Sequence, residues 1–126
     1  MAPDEEILEL SQKLLTAIDE QDWGTYEQLC DPNLTAFEPE AQGQLVTGMP
    51  FHRFYFDTPT PSRRQSSIVG PGVRFIGDAA LVTYVRLTQV FSGDKQHSTR
   101  AFEETRVWEK QNGEWKHIHF HRSVPS

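Results

Sequence analysis

The chain has 126 residues, 37% hydrophobic and 11% aromatic, with 18 acidic and 12 basic side chains for a formal net charge of −6. That composition supports one folded domain rather than disorder, and the acidic balance argues against nucleic-acid binding, which needs a basic face. A lone cysteine, Cys30, excludes an internal disulfide and fits a reduced, cytoplasmic setting. No basic-then-apolar leader opens the chain and no apolar run of about 18 residues exists, so neither a secretory signal nor a membrane span is expected.

Asp4 is expected to cap a first helix reaching about residue 20, with Glu5 and Glu6 in the first turn, where negative charge suits the helix dipole. Ile7, Leu8, Leu14, Leu15 and Ile18 recur at helical period and define its apolar face. Asp22 caps a shorter helix carrying Trp23, Tyr26 and Leu29, and Asp31-Pro32-Asn33 is expected to break the chain. Leu34 to Glu38 reads as a short strand, Pro39 and Gly43 as a bend, and residues 44–47 as a second short strand. Gly48-Met49-Pro50 opens a third helix, with proline suited to its first turn. Phe51, His52, Arg53, Phe54, Tyr55 and Phe56 place aromatic groups on nearly all its sides, which predicts enclosure by other elements.

Residues 57–67 read as a mobile surface loop, because two prolines and many small polar residues lie there. Arg63-Arg64-Gln65-Ser66 within it has the pattern of a basophilic phosphorylation site, although a solvated loop is the preferred reading. Residues 68–76 and 79–91 flank Gly77-Asp78 as one hairpin, and Ser92-Gly93-Asp94 forms the next turn. Two alternating runs then flank Asn112-Gly113, a strong hairpin signal because both residues tolerate positive φ. Helices first and long antiparallel strands afterwards indicate an α+β layer fold.

Strand alternation gives the candidate sites. Arg86, Arg106 and Arg122 fall on three successive strands and His52 on the aromatic helix; if the sheet curls around that helix, the four converge on one cavity. Guanidinium groups bind carboxylates and phosphates through a rigid fork of donors, so convergence implies an anionic ligand. The alternative is that internal acids such as Glu104, Glu103 or Glu38 neutralise the arginines. A two-residue turn at Asn112-Gly113 would pair Arg106 with His119, whereas a longer loop would place it beside Arg122. Strict alternation puts Trp115, His117, His119 and His121 on one face of the last strand, a candidate contact surface between subunits. Metal binding by the three histidines is disfavoured, since side chains two apart on a strand diverge, and no metal or other cofactor is expected. Glu38, Glu40 and Asp57 are acid–base candidates, but nearby arginines would weaken a carboxylate as a base.

The segments Cys30-Asp-Pro, Leu34-Thr-Ala-Phe-Glu-Pro-Glu-Ala41, Phe51-His-Arg-Phe-Tyr-Phe56, Glu103-Glu-Thr-Arg-Val-Trp108 and His119-Phe-His-Arg-Ser123 occur in that order. They resemble the association (hub) domain of calcium/calmodulin-dependent protein kinase II, over nearly the whole chain. The resemblance implies a nuclear transport factor 2-like cone, a long N-terminal helix packed on a strongly bent antiparallel sheet, with residues 1–126 as one hub domain. It implies a non-catalytic module that self-associates through dimers into two stacked rings and holds the kinase segments of a parent protein together. It also implies a pocket lined by His52, Arg86, Arg106 and Arg122, open to a small carboxylate or peptide, with Glu38 and Glu104 as pocket acids. The chain departs from the animal pattern in a shorter loop without tryptophan after Phe56, and in His117, where the family usually has an apolar residue. It is expected to be a fragment of a longer kinase or a stand-alone hub. The rival reading is a small enzyme of the same fold, such as an isomerase, dehydratase or polyketide cyclase; a third is a small-carboxylate sensor.

Overall fold

The computed structural model describes residues 2–60, 62–93 and 96–125. Pro61 of the predicted loop and Asp94 of the predicted turn lie outside the described residues.

Helix α1 spans Pro3–Asp19, with Ala2 at the cap position and proline in the first turn. Asp4 is therefore inside the helix rather than capping it, and with Glu5 and Glu6 it supplies the negative charge that the first turn favours. Ile7, Ser11, Leu14 and Leu15 form its buried stripe at helical spacing. Gln21, at φ 55°, turns the chain into α2, Trp23–Leu29. Here Asp22 does cap, its carboxylate accepting from the Thr25 amide (3.2 Å) and hydroxyl (2.6 Å).

Strand β1 runs Cys30–Phe37, so the expected break at Asp31-Pro32-Asn33 lies inside a strand. The turn chemistry survives as an irregularity. Cys30 pairs with His117 and Thr35 with His119, while the Asp31 carboxylate accepts from the Asn33 amide (2.7 Å) and from Gln111 Nε2 (2.8 Å). A 3-10 turn, Pro39–Ala41, leads to β2, Val46–Thr47, and then to helix α3, Pro50–Asp57. α3 is not enclosed: Phe54 is 67% and Phe51 39% exposed, and His52 is its buried side chain.

Four long strands follow: β3 Arg63–Ile76, β4 Ala79–Phe91, β5 His97–Gln111 and β6 Glu114–Ser123. β3 begins five residues before the expected start at residue 68, so residues 63–67 of the predicted loop are strand, paired with β4 from Arg63–Phe91 onward. The sheet order is β2-β1-β6-β5-β4-β3, with β1 parallel to β6 and the other neighbours antiparallel. Asn112 (φ 52°) and Gly113 (φ 82°) make the two-residue turn between β5 and β6, with Gln111 opposite Glu114.

The core, including Leu14, Leu15, Leu34, Val82 and Trp108, lies between the helices and one face of the sheet. α1 is tied to β5 and to β3. Trp108 Nε1 donates to Ser11 Oγ (3.2 Å), Ser11 Oγ donates to the Ile7 carbonyl (2.8 Å), and Gln12 Nε2 donates to the Ser66 carbonyl (3.0 Å). Ser11→Ala leaves the buried indole N–H without an acceptor, and a loss of about 1–3 kcal/mol is expected in chemical denaturation. Unchanged stability would show that the indole finds another acceptor.

A buried arginine network beneath a cationic cavity

Even-numbered residues of β4 and β5 face inward: Tyr84, Arg86 and Thr88 on one, Glu104, Arg106 and Trp108 on the other. On β6 the alternation is broken. Trp108 pairs with His117 but Val107 with His119, so Ile118 is an extra residue in β6. The bulge turns His117 and Phe120 onto the same inner face. It also places Phe120 opposite Arg106 and Arg122 opposite Glu104, so Arg106 faces neither His119 nor Arg122 across the ladder.

The bulge divides the four residues expected on one outer face. Trp115 packs against the core and His117 is fully buried. His119 and His121 lie on the other side with Phe37, at ring-centroid distances of 6.3 and 5.7 Å. His117 Nδ1 is 3.6 Å from Cys30 Sγ, and its Nε2 is 3.3 Å from Arg106 Nη1. Burial, reinforced by the Arg106 charge, pushes the His117 pKa well below the ordinary imidazole value, so the ring is neutral. Burial also pushes the Cys30 thiol up to about 12. Among the described residues, no group of three His, Cys, Asp or Glu is placed to hold a metal ion.

Glu104 is the hub of the buried network. One carboxylate oxygen accepts from the Tyr84 hydroxyl (2.6 Å) and Arg106 Nη2 (3.1 Å), the other from Arg86 Nη1 (3.3 Å). Arg86 continues to Asp19 of α1 (3.2 Å) and to Ser66 Oγ (2.9 Å), and Arg106 Nε donates to the Tyr84 oxygen (2.7 Å). Burial opposes ionisation of Glu104, but the Arg106 and Arg86 charges and the Tyr84 hydroxyl outweigh it and hold its pKa down to about 2. Ser66 is buried and accepts from Arg86, which removes it as a phosphorylation candidate.

Above this network lies a cavity of about 170 Å³ whose walls include His52, Arg86, Arg106 and Arg122. Two further arginines line it, Arg64 on β3 and Arg100 on β5. Sequence reasoning passed over both: Arg64 sat in the stretch read as loop, and Arg100 before the motif that carries Arg106. Glu38 and Glu40 line the same cavity; Glu38 is 2.6 Å from His52 Nε2, and Glu40 pairs with Arg122. Glu104 is not at the surface of the cavity but beneath it, bonded to Arg86 and Arg106. A wider groove of about 570 Å³, between α1 and the ends of β3 and β4, shares Arg64 with the cavity.

A curled six-stranded sheet holding helices against one face, with a polar cavity at its mouth, defines a nuclear transport factor 2-like cone. The fold is shared with a nuclear transport factor 2-like protein from Salmonella enterica (25% identity, TM-score 0.80, covering 97% of this chain and 90% of that one). The calcium/calmodulin-dependent protein kinase II association domain matches residues 3–126, and the chain belongs to that family. It is 46% identical over 123 residues to the type II kinase subunit delta of Oryctolagus cuniculus, covering 94% of this chain and 23% of that protein. It also superposes on the kinase II hub homology domain of Chlamydomonas reinhardtii (TM-score 0.92, 42% identity, 99% and 100% coverage). The chain thus spans about a quarter of the curated relative's length. No helix among the described residues is long and apolar enough to cross a membrane.

Proposed function

We propose that this domain is a non-catalytic self-association module that assembles into two stacked rings and gathers the kinase segments of a cytoplasmic parent protein, with the cationic cavity accepting a small carboxylate or a peptide carboxylate. The observation that carries the assembly is the outer face of the sheet. All three helices belong to the other side or to its rim, while Thr83, Glu103, His121 and Phe37 on the outer face are exposed, and partly apolar positions such as Val85 and Val107 lie among them. A second copy supplies the cover that one chain lacks. Native mass spectrometry is expected to show a particle of many subunits, and Val85→Glu, which puts a charge in the middle of that face, to shift the mass to smaller species. A monomer at micromolar concentration defeats the reading.

The rival, a small enzyme, draws support from the buried contact between Glu38 and His52 at the cavity wall, the geometry of an acid–base pair. Turnover of a small carbonyl compound, lost in Glu38→Gln, would favour it.

A further inference from the structure

The stretch between α3 and β3 carries a pattern that the fold leaves unused. Thr58-Pro59-Thr60-Pro61-Ser62-Arg63-Arg64 holds two threonines, each followed by proline. α3 takes Asp57 and β3 takes residues 63–67 of the expected loop, and Ser66 is locked into the sheet. The two threonines are not. Thr58 is exposed and Thr60 half-buried. Among the described residues, none of 59, 60 and 62 makes a backbone–backbone hydrogen bond. Thr60 Oγ1 meets its neighbour Ser62, at 2.7 Å from the hydroxyl and 3.2 Å from the amide. A segment held by so few bonds opens at little cost, as it must to lie extended in a kinase cleft. Gln21 Nε2 donates to the carbonyls of Tyr55 (2.8 Å) and Thr58 (2.6 Å), which sets the segment beside the α1–α2 corner, on the helix side of the sheet. A second copy seated on the outer face leaves it open.

The residue after an acceptor threonine is read through its amide. A kinase cleft with no acceptor at that position strands the N–H of every residue but proline, which has none, and so selects proline. Both threonines satisfy that condition. Thr60 alone also has an arginine three residues on, the exposed Arg63, where Thr58 has Pro61. Arg63 and Arg64 belong to none of the ion pairs among the described residues. The nearby acids have other partners: Asp19 pairs with Arg86 and Asp57 with Arg53. Arg63 is therefore free to meet an acidic kinase surface before transfer, and a phosphate after it. Phosphothreonine carries a charge of about −1.5 to −2 and three strong acceptor oxygens. Thr60 Oγ1 already lies 3.2 Å from the Ser62 amide, one residue before Arg63. Arg63 and Arg64 both line the groove between α1 and the ends of β3 and β4, so the two guanidiniums serve one end of one groove.

We propose that Thr60 is a phosphorylation site for a proline-directed serine/threonine kinase that reads Pro61 and Arg63, and that its phosphate pairs with Arg63 and Arg64 at the end of that groove. In the transfer, a bond forms between Thr60 Oγ1 and the γ-phosphorus of ATP, and the bond from that phosphorus to the β-phosphate oxygen breaks. The hydroxyl proton passes to the catalytic aspartate of the kinase, and ADP leaves with magnesium. The new charge is set beside Arg64, which the groove shares with the cavity, and offsets positive charge at that seam.

The test is incubation of the whole assembled protein with magnesium ATP and a cyclin-dependent kinase, followed by peptide mapping. One phosphoryl group is expected, on Thr60. Thr60→Ala is expected to lose it, Thr60→Ser to keep it, and Thr58→Ala to be labelled as the wild type is. Pro61→Ala and Arg63→Gln are each expected to slow labelling at least tenfold, with particle mass and Tm unchanged. Hydrogen exchange at the amides of residues 62–65 reads the second half of the proposal. Phosphorylation is expected to slow it at least threefold in the wild type, and to leave it unchanged in phosphorylated Arg64→Gln. Labelling of Thr58 in place of Thr60, a wild-type rate in Arg63→Gln, or no labelling at all overturns the acceptor assignment. Exchange that phosphorylation leaves unchanged in the wild type, or slows equally in Arg64→Gln, overturns the pairing with the arginines.

Discussion

Arg106→Met is expected to destabilise the subunit by about 3–5 kcal/mol, because it strands the buried Glu104 carboxylate without its principal counter-charge. Arg106 is fully buried, stacks over Phe120 at 4.7 Å, and bonds Tyr84 and Glu104 together. Methionine fills much of the same volume, so the loss reports the charge rather than a void. The double variant Arg106→Met with Glu104→Gln is expected to recover a large part of the loss, since no buried charge is then left unpaired against Arg106's site. Urea denaturation of the four proteins forms the cycle. A double variant as unstable as the single one would mean that Arg106 acts through packing, and that Glu104 does not depend on it. A change of this size is a large fraction of a domain's ordinary 5–15 kcal/mol.

The second large effect is on acid stability. His117 is neutral in the folded chain and titrates near 6.5 when unfolded, so the unfolded state binds the additional proton. Stability is therefore present above that value and falls as pH drops below it, with a slope approaching about 1.4 kcal/mol per pH unit. Arg106 on β5, His52 on α3 and His119 on β6 all act against protonation of the ring, and burial acts with them. Glu104 adds a second stage at lower pH with the same sign, because here too the unfolded state binds the additional proton. Its folded pKa of about 2 lies below the ordinary 4.5, so its contribution is complete above 4.5 and is lost as pH falls towards 2. His117→Gln retains an acceptor for Arg106 but cannot titrate, and is expected to flatten the first stage and leave the second. Thermal melts between pH 7 and 3.5 read both. An unchanged slope between pH 7 and 5 would place the sensitivity elsewhere.

Much of the architecture was local enough to read. The 3.6-residue recurrence in α1, the Asp22 cap, the Gly77-Asp78 and Asn112-Gly113 turns and the inward sequence Tyr84-Arg86-Thr88 are each set by neighbours within a few residues. The misreadings have a common origin. Asp31-Pro32-Asn33 and Arg63 to Ser67 look like loop by composition, and become strand because long partners in β6 and β4 bind their backbones. Aromatic residues around α3 suggested burial, but helical geometry turns Phe51 and Phe54 away from the face that carries His52.

The amino-acid order alone determined the number and order of the main helices and long strands, the family motifs, and the placement of basic groups on successive strands, because those depend on side-chain period and turn chemistry. Tertiary structure decided which arginines are neutralised and which stay available. That choice depends on Asp19 arriving from α1, on the single extra residue Ile118 that swings His117 inward, and on Arg64 reaching the cavity wall from β3. Charge pairing acts through space over a few ångströms, and no spacing along the chain encodes distances between elements that meet only when the sheet curls.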